Sequence, residues 1–495
     1  MATSHDPNNT ASGDHVHLDG RTLEGGGQVV RNALALSALT GRPVTIDHVR
    51  GNRGKKPGLM ASHAAAVKLL AEISGSEVSD GTVGSTRLTF IPPQAGVERD
   101  LRSPGSTQTS GDAPLVSLTN LTVQSEYNIR LQTPGSVFLI FQALYPYLLH
   151  VGSRTCTECI KVNITGGTNG TSSPSYDYAF QVMAPNFARL GLRPFSMILH
   201  KRGWSTGVVG MGEVSFFIHP LPPPDDELEN MGALDVSERD GNQHTTGAAA
   251  PSRFPQIRIM DHKRGKITRI TVTILATNDV LHQAVEDGET LTVARYTERQ
   301  TLRRLRKALK ALDPSIFEEP HDGETRIPVK LLPTEVTSHF SRLYILIVAH
   351  TSTGFRIGHD ALLGDNRGYK HAKRKLGKHE KHRKGQGPPA EKGSSAANLE
   401  KVSDMIDGCV QGFIEELVSL QTQTDQESGS TIGKRSCLDR HMRDQIVVFE
   451  ALGNLHRVGT SGSEAAEEQE DERYWTLHTK TAQWVCRKML NVFEH

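Results

Sequence analysis

The sequence has almost no net charge, because 56 lysines and arginines stand against 55 acidic residues and leave a formal charge of +1. A protein that attracts nucleic acid with its whole surface shows a clear excess of basic residues. This composition therefore excludes a general polyanion-binding surface. A nucleic-acid site would need a local cluster of cations.

Long apolar runs are also lacking. The most apolar stretch, VFLIFQALYPYLLHV, is interrupted by Gln142 and Pro146 and is too short to span a bilayer. The first residues, MATSHDPNNTASGDH, do not show the basic-then-apolar pattern of a signal peptide. We therefore expect no membrane partner.

Cysteine is scarce, with five residues in 495. Without a signal pattern, so few cysteines indicate a reducing compartment rather than a disulfide framework. Cys156 and Cys159 form a single C-x-x-C motif. No second pair completes a zinc site, which favours an ordinary packed pair over a metal or redox site.

Hydrophobic residues reach only 36% and the mean hydropathy is −0.40, which is low for a compact chain of this length. Four polar stretches explain the deficit and are predicted to be solvated insertions: 102–124, 222–252, 366–397 and 460–472. The third contains the basic run KHAKRKLGKHEKHRK at 370–384. That run fits either a solvated loop or a segment for nuclear import or RNA contact.

The rest of the chain is patterned as repeated helices and strands. Apolar periodicity and β-branched content predict two similar units and partial material for a third near the C terminus. The predicted elements are helix 29–40, strand 43–46, helix 62–74, a strand before Pro92, helix 135–149, strand 160–167, helix 175–192, the strands FSMILH and GEVSFFIHPL, helix 399–420 and a helix around RDQIVVFEAL.

A different segment interrupts this pattern. GKITRITVTIL at 265–275 and SRLYILIVAH at 341–350 are typical of strands, and RQTLRRLRKALKALD at 299–313 is a basic helix. We predict an α/β (α+β) fold. Its core domain of repeated helix–strand units comprises residues 1–255 and 346–495, and a smaller α/β domain is inserted at 256–345.

Residues 23–31 read LEGGGQVVR and place three glycines at the start of a helix. Such a turn exposes N–H groups to an anion at the positive end of the helix dipole. Glu24, Gln28 and Arg31 flank it, so a phosphate or sugar ligand fits, and so does a simple tight turn. The pattern matches neither the P-loop nor the dinucleotide-binding fingerprint.

A second loop, VRGNRGKKPGLMASH at 49–63, collects cations before a helix. Arg50, Arg53, Lys55 and Lys56 occur there without a carboxylate. Their mutual repulsion is relieved if an anion binds, although a solvated loop also fits. His63 begins the helix, either as part of such a site or as a cap.

Two C-terminal motifs contain further candidates. RHMRDQIVVFEAL at 440–452 begins a helix that carries Asp444 and Gln445, and WTLHTKTAQWV at 475–485 puts His478 at the end of a short predicted strand. A lone histidine is either structural or reactive, and no serine–aspartate arrangement completes a triad around it.

Taken in order, these motifs resemble the RNA 3'-terminal phosphate cyclase family. The matching pieces are LDG-x-x-x-EGGGQ at 18–28, IDHVRGNRGKKPGL at 46–59, GST-x-LTF at 84–90, TPGSVFLIFQALYP at 133–146, GGTN at 166–169, PSYDY at 174–178, TSTG at 351–354, DQIVVFEAL at 444–452 and LHTKT at 477–481. The resemblance covers most of the chain outside the four insertions, and the family's fold agrees with the predicted one.

The resemblance implies an ATP-dependent conversion of an RNA 3'-terminal phosphate to a 2',3'-cyclic phosphodiester. In that family a histidine attacks the α-phosphate of ATP, AMP then moves to the RNA 3'-phosphate, and the adjacent 2'-OH displaces it. ATP, Mg²⁺ or Mn²⁺, and RNA 3' ends are the implied cofactors and partner.

The resemblance also implies roles for single residues. His478 is the implied adenylated nucleophile. The implied nucleotide-binding residues are Gln142, Pro174, His441, Asp444 and Gln445. The implied phosphate- and RNA-end-binding residues are Glu24, Gln28, Arg31, Arg50, Arg53 and His63, with Glu24 also as the metal ligand.

The chain departs from the family pattern at four places. His441 replaces the usual Tyr of Y-x-x-DQ, and residues 61–63 read ASH where the family has P-Q-H. Pro134 replaces the alanine of T-A-G-S, and residues 208–213 read VVGMGE where the family has P-K-GGGE. The nucleophile is retained, so the departures affect base stacking and contacts with the RNA end.

Two alternatives are weighed against an active cyclase. A nucleolar cyclase-like branch of the family lacks the nucleophilic histidine and acts in ribosomal RNA processing as a catalytically inactive RNA-binding factor, and His478 argues against it. A different transferase is also possible, because enolpyruvate transferases share repeated α/β units.

The basic run and analogy to eukaryotic relatives predict a nuclear location, nucleoplasmic or nucleolar, and otherwise a cytoplasmic one. The oligomeric state stays open.

Overall fold

The computed structural model describes residues 15–54, 56–93, 123–151, 159–221, 254–286, 288–319, 327–363, 395–424, 431–455 and 476–490. Almost all of the four predicted insertions, including the basic run at 370–384, lie outside these residues, and so does Cys156. No disulfide joins the cysteines that the structure describes: Cys159, Cys409, Cys437 and Cys486.

The described chain contains both strands and helices. The strands are β1 (Val16–Asp19), β2 (Val44–Asp47), β3 (Glu77–Ser79), β4 (Leu88–Ile91), β5 (Glu126–Arg130), β6 (Ile160–Gly166), β7 (Phe195–Lys201), β8 (Gly212–Ile218), β9 (Ile267–Ala276), β10 (Val280–Glu286), β11 (Glu289–Thr292), β12 (Val329–Leu331), β13 (Glu335–Val336), β14 (Tyr344–Thr351), β15 (Arg356–Leu362), β16 (Leu420–Thr424) and β17 (Thr431–Arg435). The helices are α1 (Gly27–Thr40), α2 (Ala61–Ser74), α3 (Val137–Val151), α4 (Tyr176–Tyr178), α5 (Ala184–Arg189), α6 (Val293–Leu309), α7 (Ser395–Val418), α8 (Arg440–Gly453) and α9 (Leu477–Leu490).

The structure confirms the α/β class and the repeated units. The first sheet has the strand order β1-β2-β4-β3, with β1 and β2 parallel and the other neighbours antiparallel. The second sheet repeats this arrangement with the order β5-β6-β8-β7. In each unit a helix, α1 or α3, joins the parallel pair.

The helices of the two units pack together and form one core. α3 contacts both α1 and α2. It corresponds to the most apolar stretch of the sequence, and all of its side chains except Leu139 and Gln142 are buried. Protein packing on every side explains why this helix carries no charge. Among the described residues, no helix is long and apolar enough to cross a membrane.

The predicted helix 175–192 is interrupted by a π-helical turn, Ala179–Met183, between α4 and α5. Pro185 lies two residues after this turn and has no N–H group to donate to the carbonyl of residue 181. A missing hydrogen bond of this kind is a common cause of local irregularity in a helix.

The inserted sheet has the order β12-β9-β14-β15, with β13 also paired to β9. β14 is buried on both faces: Tyr344, Leu346 and Val348 join the main core, while Ile345, Ile347 and Ala349 join a second hydrophobic cluster with α6 and α7. Burial on both faces explains its unbroken apolar run. The domain bounds 1–255, 256–345 and 346–495 stay a prediction, although β14 spans residue 345 and the second cluster extends to Leu417.

Gly358 on β15 provides a test of how the inserted sheet packs against the repeats. A Cβ atom there would lie 2.6 Å from Val182 Cγ2 and 3.1 Å from Tyr178 Cε2. We expect Gly358→Ala to lower the free energy of unfolding by about 1–3 kcal/mol, because the core is overpacked. Urea titration would measure the change.

Gly408→Ala is the matched control. Gly408 is half-buried within α7, and nothing lies within 4 Å of its Cβ position. Alanine should therefore stabilise the protein there by about 0.5–1 kcal/mol. If both substitutions shift the urea midpoint in the same direction, the described packing at Gly358 is wrong.

Candidate active site

His478 lies in the first turn of α9, so the prediction that it ends a short strand is wrong. The neighbouring threonines give a strand-like composition, but their hydroxyls serve the helix. Thr476 Oγ1 accepts from Thr479 N at 3.1 Å, and Thr481 Oγ1 donates to Leu477 O at 2.6 Å. The buried residues that follow recur at helical spacing: Ala482, Val485, Cys486 and Met489.

The imidazole of His478 is held through one of its nitrogens. Nδ1 lies 3.2 Å from Gln28 Oε1 and 3.2 Å from Glu24 Oε2. Both oxygens can accept a hydrogen bond, which favours the neutral tautomer that has its proton on Nδ1 and its lone pair on Nε2. The His478 side chain is 45% exposed, which leaves the ring accessible to a substrate.

The glycine triplet makes room for side chains of the site. A Cβ at Gly26 would overlap the Glu24 carboxylate, and a Cβ at Gly27 would overlap the His63 ring. Gly25 has a φ of 58°, in the left-handed region that favours glycine. Because the triplet has no side chains, the side chains of Glu24 and His63 can approach the backbone at the start of α1.

Glu24 is held by contacts with two residues, one near the C terminus and one in the loop before α2. Its backbone N–H donates to Thr481 Oγ1 at 3.2 Å, and its carboxylate forms an ion pair with Arg53. Burial tends to raise the pKa of Glu24, but the hydrogen bond with His478 and the charges of His478, Arg53 and Arg31 lower it overall. Glu24 is therefore an ionised, largely buried carboxylate at neutral pH.

The arginines predicted for the site differ in their partners and in their exposure to solvent. Arg50 Nη1 donates to Lys56 O and Gly58 O, each at 2.9 Å, so this side chain holds its own loop together. Burial lowers the pKa of Arg31 to about 10, and it stays charged at neutral pH because Glu24 and Asp444 favour the charged form. Arg53 is 41% exposed beside Glu24 and is more accessible to an incoming anion.

His63 is buried and uncharged. Its Nδ1 accepts from Met60 N at 3.4 Å, which leaves the proton on Nε2 next to Gly27. Burial, followed by the charges of Arg31 and Arg50, lowers the pKa of His63 to about 3. The ring is therefore a neutral N–H donor within the site.

Three predicted nucleotide-binding residues meet beside His478. Gln142 on α3 donates to Gln445 on α8, and Gln445 Nε2 donates to Asp444 Oδ1 at 2.6 Å. Burial raises the pKa of Asp444 to about 6, against the opposing effects of His478 and Arg31. With Gln28 and Arg31 these side chains line a cleft whose apolar wall is formed by Phe141, Tyr145, Phe187 and Phe449.

The oxygen donors of the site suit a hard divalent cation. Glu24 and Gln28 approach His478 together, and Asp444 interacts electrostatically with both Glu24 and His478. Among the described residues, no group of three His, Cys, Asp or Glu forms a cage of protein ligands alone. Mg²⁺ usually binds one or two carboxylates plus substrate phosphates, so these residues fit a metal that arrives with a nucleotide.

A family model described as RNA 3'-terminal phosphate cyclase matches residues 22–493. The chain belongs to this family. The RNA 3'-terminal phosphate cyclase of Methylococcus capsulatus is 32% identical over 241 residues, which cover 48% of this chain and 57% of the relative. The Ralstonia nicotianae protein of the same name is 30% identical over 232 residues, covering 47% of this chain and 55% of the relative.

A third relative gives a similar result. The RNA 3'-terminal phosphate cyclase of Ignicoccus hospitalis is 33% identical over 223 residues, which cover 45% of this chain and 52% of that relative. The chain thus matches these three cyclases over little more than half of their length.

Two of the five nucleotide-binding residues implied by the cyclase family do not line the cleft. Pro174 lies in the loop before α4, and the ring of His441 lies 6.2 Å from the ring of Tyr178, edge to face. His441 is also 6.1 Å from the ring of His359. Their predicted contacts with a base stay a prediction.

Sequence reasoning missed Asp439, which supports this side of the cyclase site. The buried carboxylate accepts from Met442 N at 2.9 Å and caps α8, which carries Asp444 and Gln445. It also accepts from Tyr178 Oη at 2.6 Å and Gly358 N at 2.9 Å. An aspartate before a helix is a known capping signal, but the two long-range partners have no signal in the sequence.

The contact between Glu24 and His478 predicts a titration. The hydrogen bond to Glu24 raises the pKa of His478, and burial only partly opposes it. In metal-free protein, Glu24→Gln removes the negative charge that favours the imidazolium, so His478 should lose its proton at a lower pH than in the wild type. NMR titration of the ring protons would measure this change.

Glu72→Gln is the control, because Glu72 is an exposed carboxylate on α2. It should leave the pKa of His478 unchanged. A pKa of His478 that stays constant or rises in Glu24→Gln would disprove the role given to Glu24.

Proposed function

We propose that this protein uses ATP to convert an RNA 3'-terminal phosphate to a 2',3'-cyclic phosphodiester, through an adenylated His478. The central observation is the pair of 3.2 Å contacts that Nδ1 makes with Gln28 and Glu24, which leave Nε2 with its lone pair. Family membership and the printed names of the relatives support the substrate class.

In the first step, the lone pair of His478 Nε2 attacks the α-phosphorus of ATP. The bond from that phosphorus to the bridging oxygen breaks, and pyrophosphate leaves with the electron pair. The ring then carries a positive charge, with the Nδ1 proton still directed at Glu24. The carboxylate of Glu24 stabilises this charge, and the phosphorus–nitrogen bond remains reactive.

In the second step, an oxygen of the RNA 3'-phosphate attacks the phosphorus of AMP, and the bond to Nε2 breaks. Neutral His478 is restored. The RNA 2'-OH then attacks its own 3'-phosphorus, loses its proton and displaces AMP. We assign Arg53 and His63 to the RNA phosphate, because one is an accessible cation and the other a neutral N–H donor.

We assign the cleft between α1, α3 and α8 to the nucleotide. Gln142, Asp444 and Gln445 are joined there by hydrogen bonds, and Asp444 interacts electrostatically with His478. A bound Mg²⁺ or Mn²⁺ would neutralise charge on the phosphates, with Glu24 as its protein ligand. A nuclear location remains part of the proposal and rests on the basic run at 370–384.

Labelled ATP tests this proposal without RNA. We expect protein incubated with magnesium and ATP labelled at the α-phosphate to acquire a label that acid removes. His478→Ala should acquire none. His200→Ala, which changes an exposed histidine on β7, should be labelled like the wild type. Wild-type protein that binds ATP but takes up no label would contradict the proposal and favour a catalytically inactive RNA-binding factor.

A second measurement concerns the product. With a 3'-phosphorylated RNA and ATP, the wild-type protein should make an end that resists phosphatase. His478→Ala should be slower by on the order of 10³-fold or more, because no other group replaces the nucleophile. An end that stays sensitive to phosphatase, on protein that does become labelled, would point to a different acceptor for AMP.

A further inference from the structure

Helix α6 carries a row of cations on its exposed side. Arg303, Arg306 and Lys307 lie on α6, and Lys310 is the capping residue directly after it, with helical dihedral angles. All four are exposed and occur at positions i, i+3, i+4 and i+7, which places them on one face. The opposite face is buried and contains Thr297, Thr301, Leu305 and Leu309. We call these four cations the α6 cationic stripe.

The stripe differs from the other arginines of α6 in having no acidic partner. Arg295 pairs with Glu298 at 3.3 Å, Arg299 with Glu286 at 3.2 Å and Arg304 with Asp407 at 2.8 Å. Within the ranges that the structure describes, no hydrogen bond or ion pair joins a stripe side chain to another residue. Four positive charges therefore face solvent side by side.

Such an arrangement is unfavourable for the helix itself. Like charges three and four positions apart repel and destabilise a helix. The helix dipole offsets the repulsion for Arg306 and Lys307 in the last turn, but this effect fades beyond the last turn and does not reach Arg303. A chain whose total charge is only +1 has thus concentrated cations where no carboxylate of the described residues compensates them.

We propose that the α6 cationic stripe binds the phosphodiester backbone of RNA upstream of the 3'-terminal phosphate. The inference rests on the proposed function, which makes an RNA strand the substrate. Seven residues of helix extend about 10 Å, and one strand of a duplex has a phosphate about every 3.4 Å, so the stripe can follow about three phosphates. Positively charged side chains contact phosphates, whereas recognition of a base needs a group that hydrogen-bonds its edge. The stripe therefore fits contact with the RNA backbone rather than recognition of sequence.

A membrane surface is the less favoured polyanion. Helices that lie on membranes combine cations with exposed apolar side chains that enter the lipid. The exposed large apolar residues of the described chain include none on α6.

The test compares two RNA lengths. The stripe variant carries four substitutions: Arg303→Gln, Arg306→Gln, Lys307→Gln and Lys310→Gln. This variant and the wild-type protein are each titrated, at several salt concentrations, with a 3'-phosphorylated RNA of about twenty nucleotides and with one of about four. For the long RNA we expect a loss of affinity of tenfold or more at low salt. The slope of log K against log salt should fall by about 0.7 per lost contact, or about 2–3 in total. Binding of the short RNA and α-phosphate labelling by ATP alone should not change.

The control variant removes the same charge from scattered exposed lysines: Lys68→Gln, Lys201→Gln, Lys263→Gln and Lys488→Gln. Equal losses in both variants would show a general charge effect and overturn the proposal, and so would unchanged binding of the long RNA. Lost binding to vesicles containing phosphatidylserine, with RNA binding intact, would assign the stripe to a membrane instead. Because binding needs no turnover, absent labelling would count against the proposed function alone.

Discussion

The contact of His478 with Glu24 and Gln28 brings together residues about 450 positions apart in the chain. A histidine exposed on a helix end would otherwise titrate and rotate freely. Here two acceptors, each 3.2 Å from Nδ1, fix the position of the ring and of its proton. The chemistry assigned to Nε2 depends on this contact, because only the nitrogen without a proton can attack phosphorus.

The repeated units supply the framework for that contact. α1 begins at the glycine triplet after β1, and α9 packs along α1, so the start of one helix faces the start of the other. Thr481 then bonds the backbone of Glu24, which ties the loop to the helix that carries the nucleophile. On the other side, Asp439 joins α8 to Tyr178 and Gly358, from a repeat and from the inserted sheet. The site thus draws on every part of the fold.

Much of this could be predicted from local patterns, whereas the failures came from misread composition and from contacts that only folding creates. Most strands and helices of both repeats follow from apolar periodicity, but β1, β3 and β5 were not predicted. The glycine triplet at a helix start fitted an anion site and a simple tight turn equally well. His478 was placed on a strand because threonine is common in strands, yet the hydroxyls of Thr476 and Thr481 bond within the helix. Arg50 was indistinguishable from Arg53 in sequence, since only folding shows that its guanidinium is engaged by its own loop. Partners distant in sequence, such as those of Asp439, have no periodic signal.

The position of AMP on the ring tests the central claim most directly. Protein containing ¹⁵N-labelled histidine would be incubated with ATP and magnesium, and the coupling between ¹⁵N and ³¹P would be measured by NMR. The held Nδ1 proton predicts phosphorus on Nε2 of His478, with Nδ1 still protonated. Phosphorus on Nδ1, or on another histidine, would show that Glu24 and Gln28 do not orient the nucleophile.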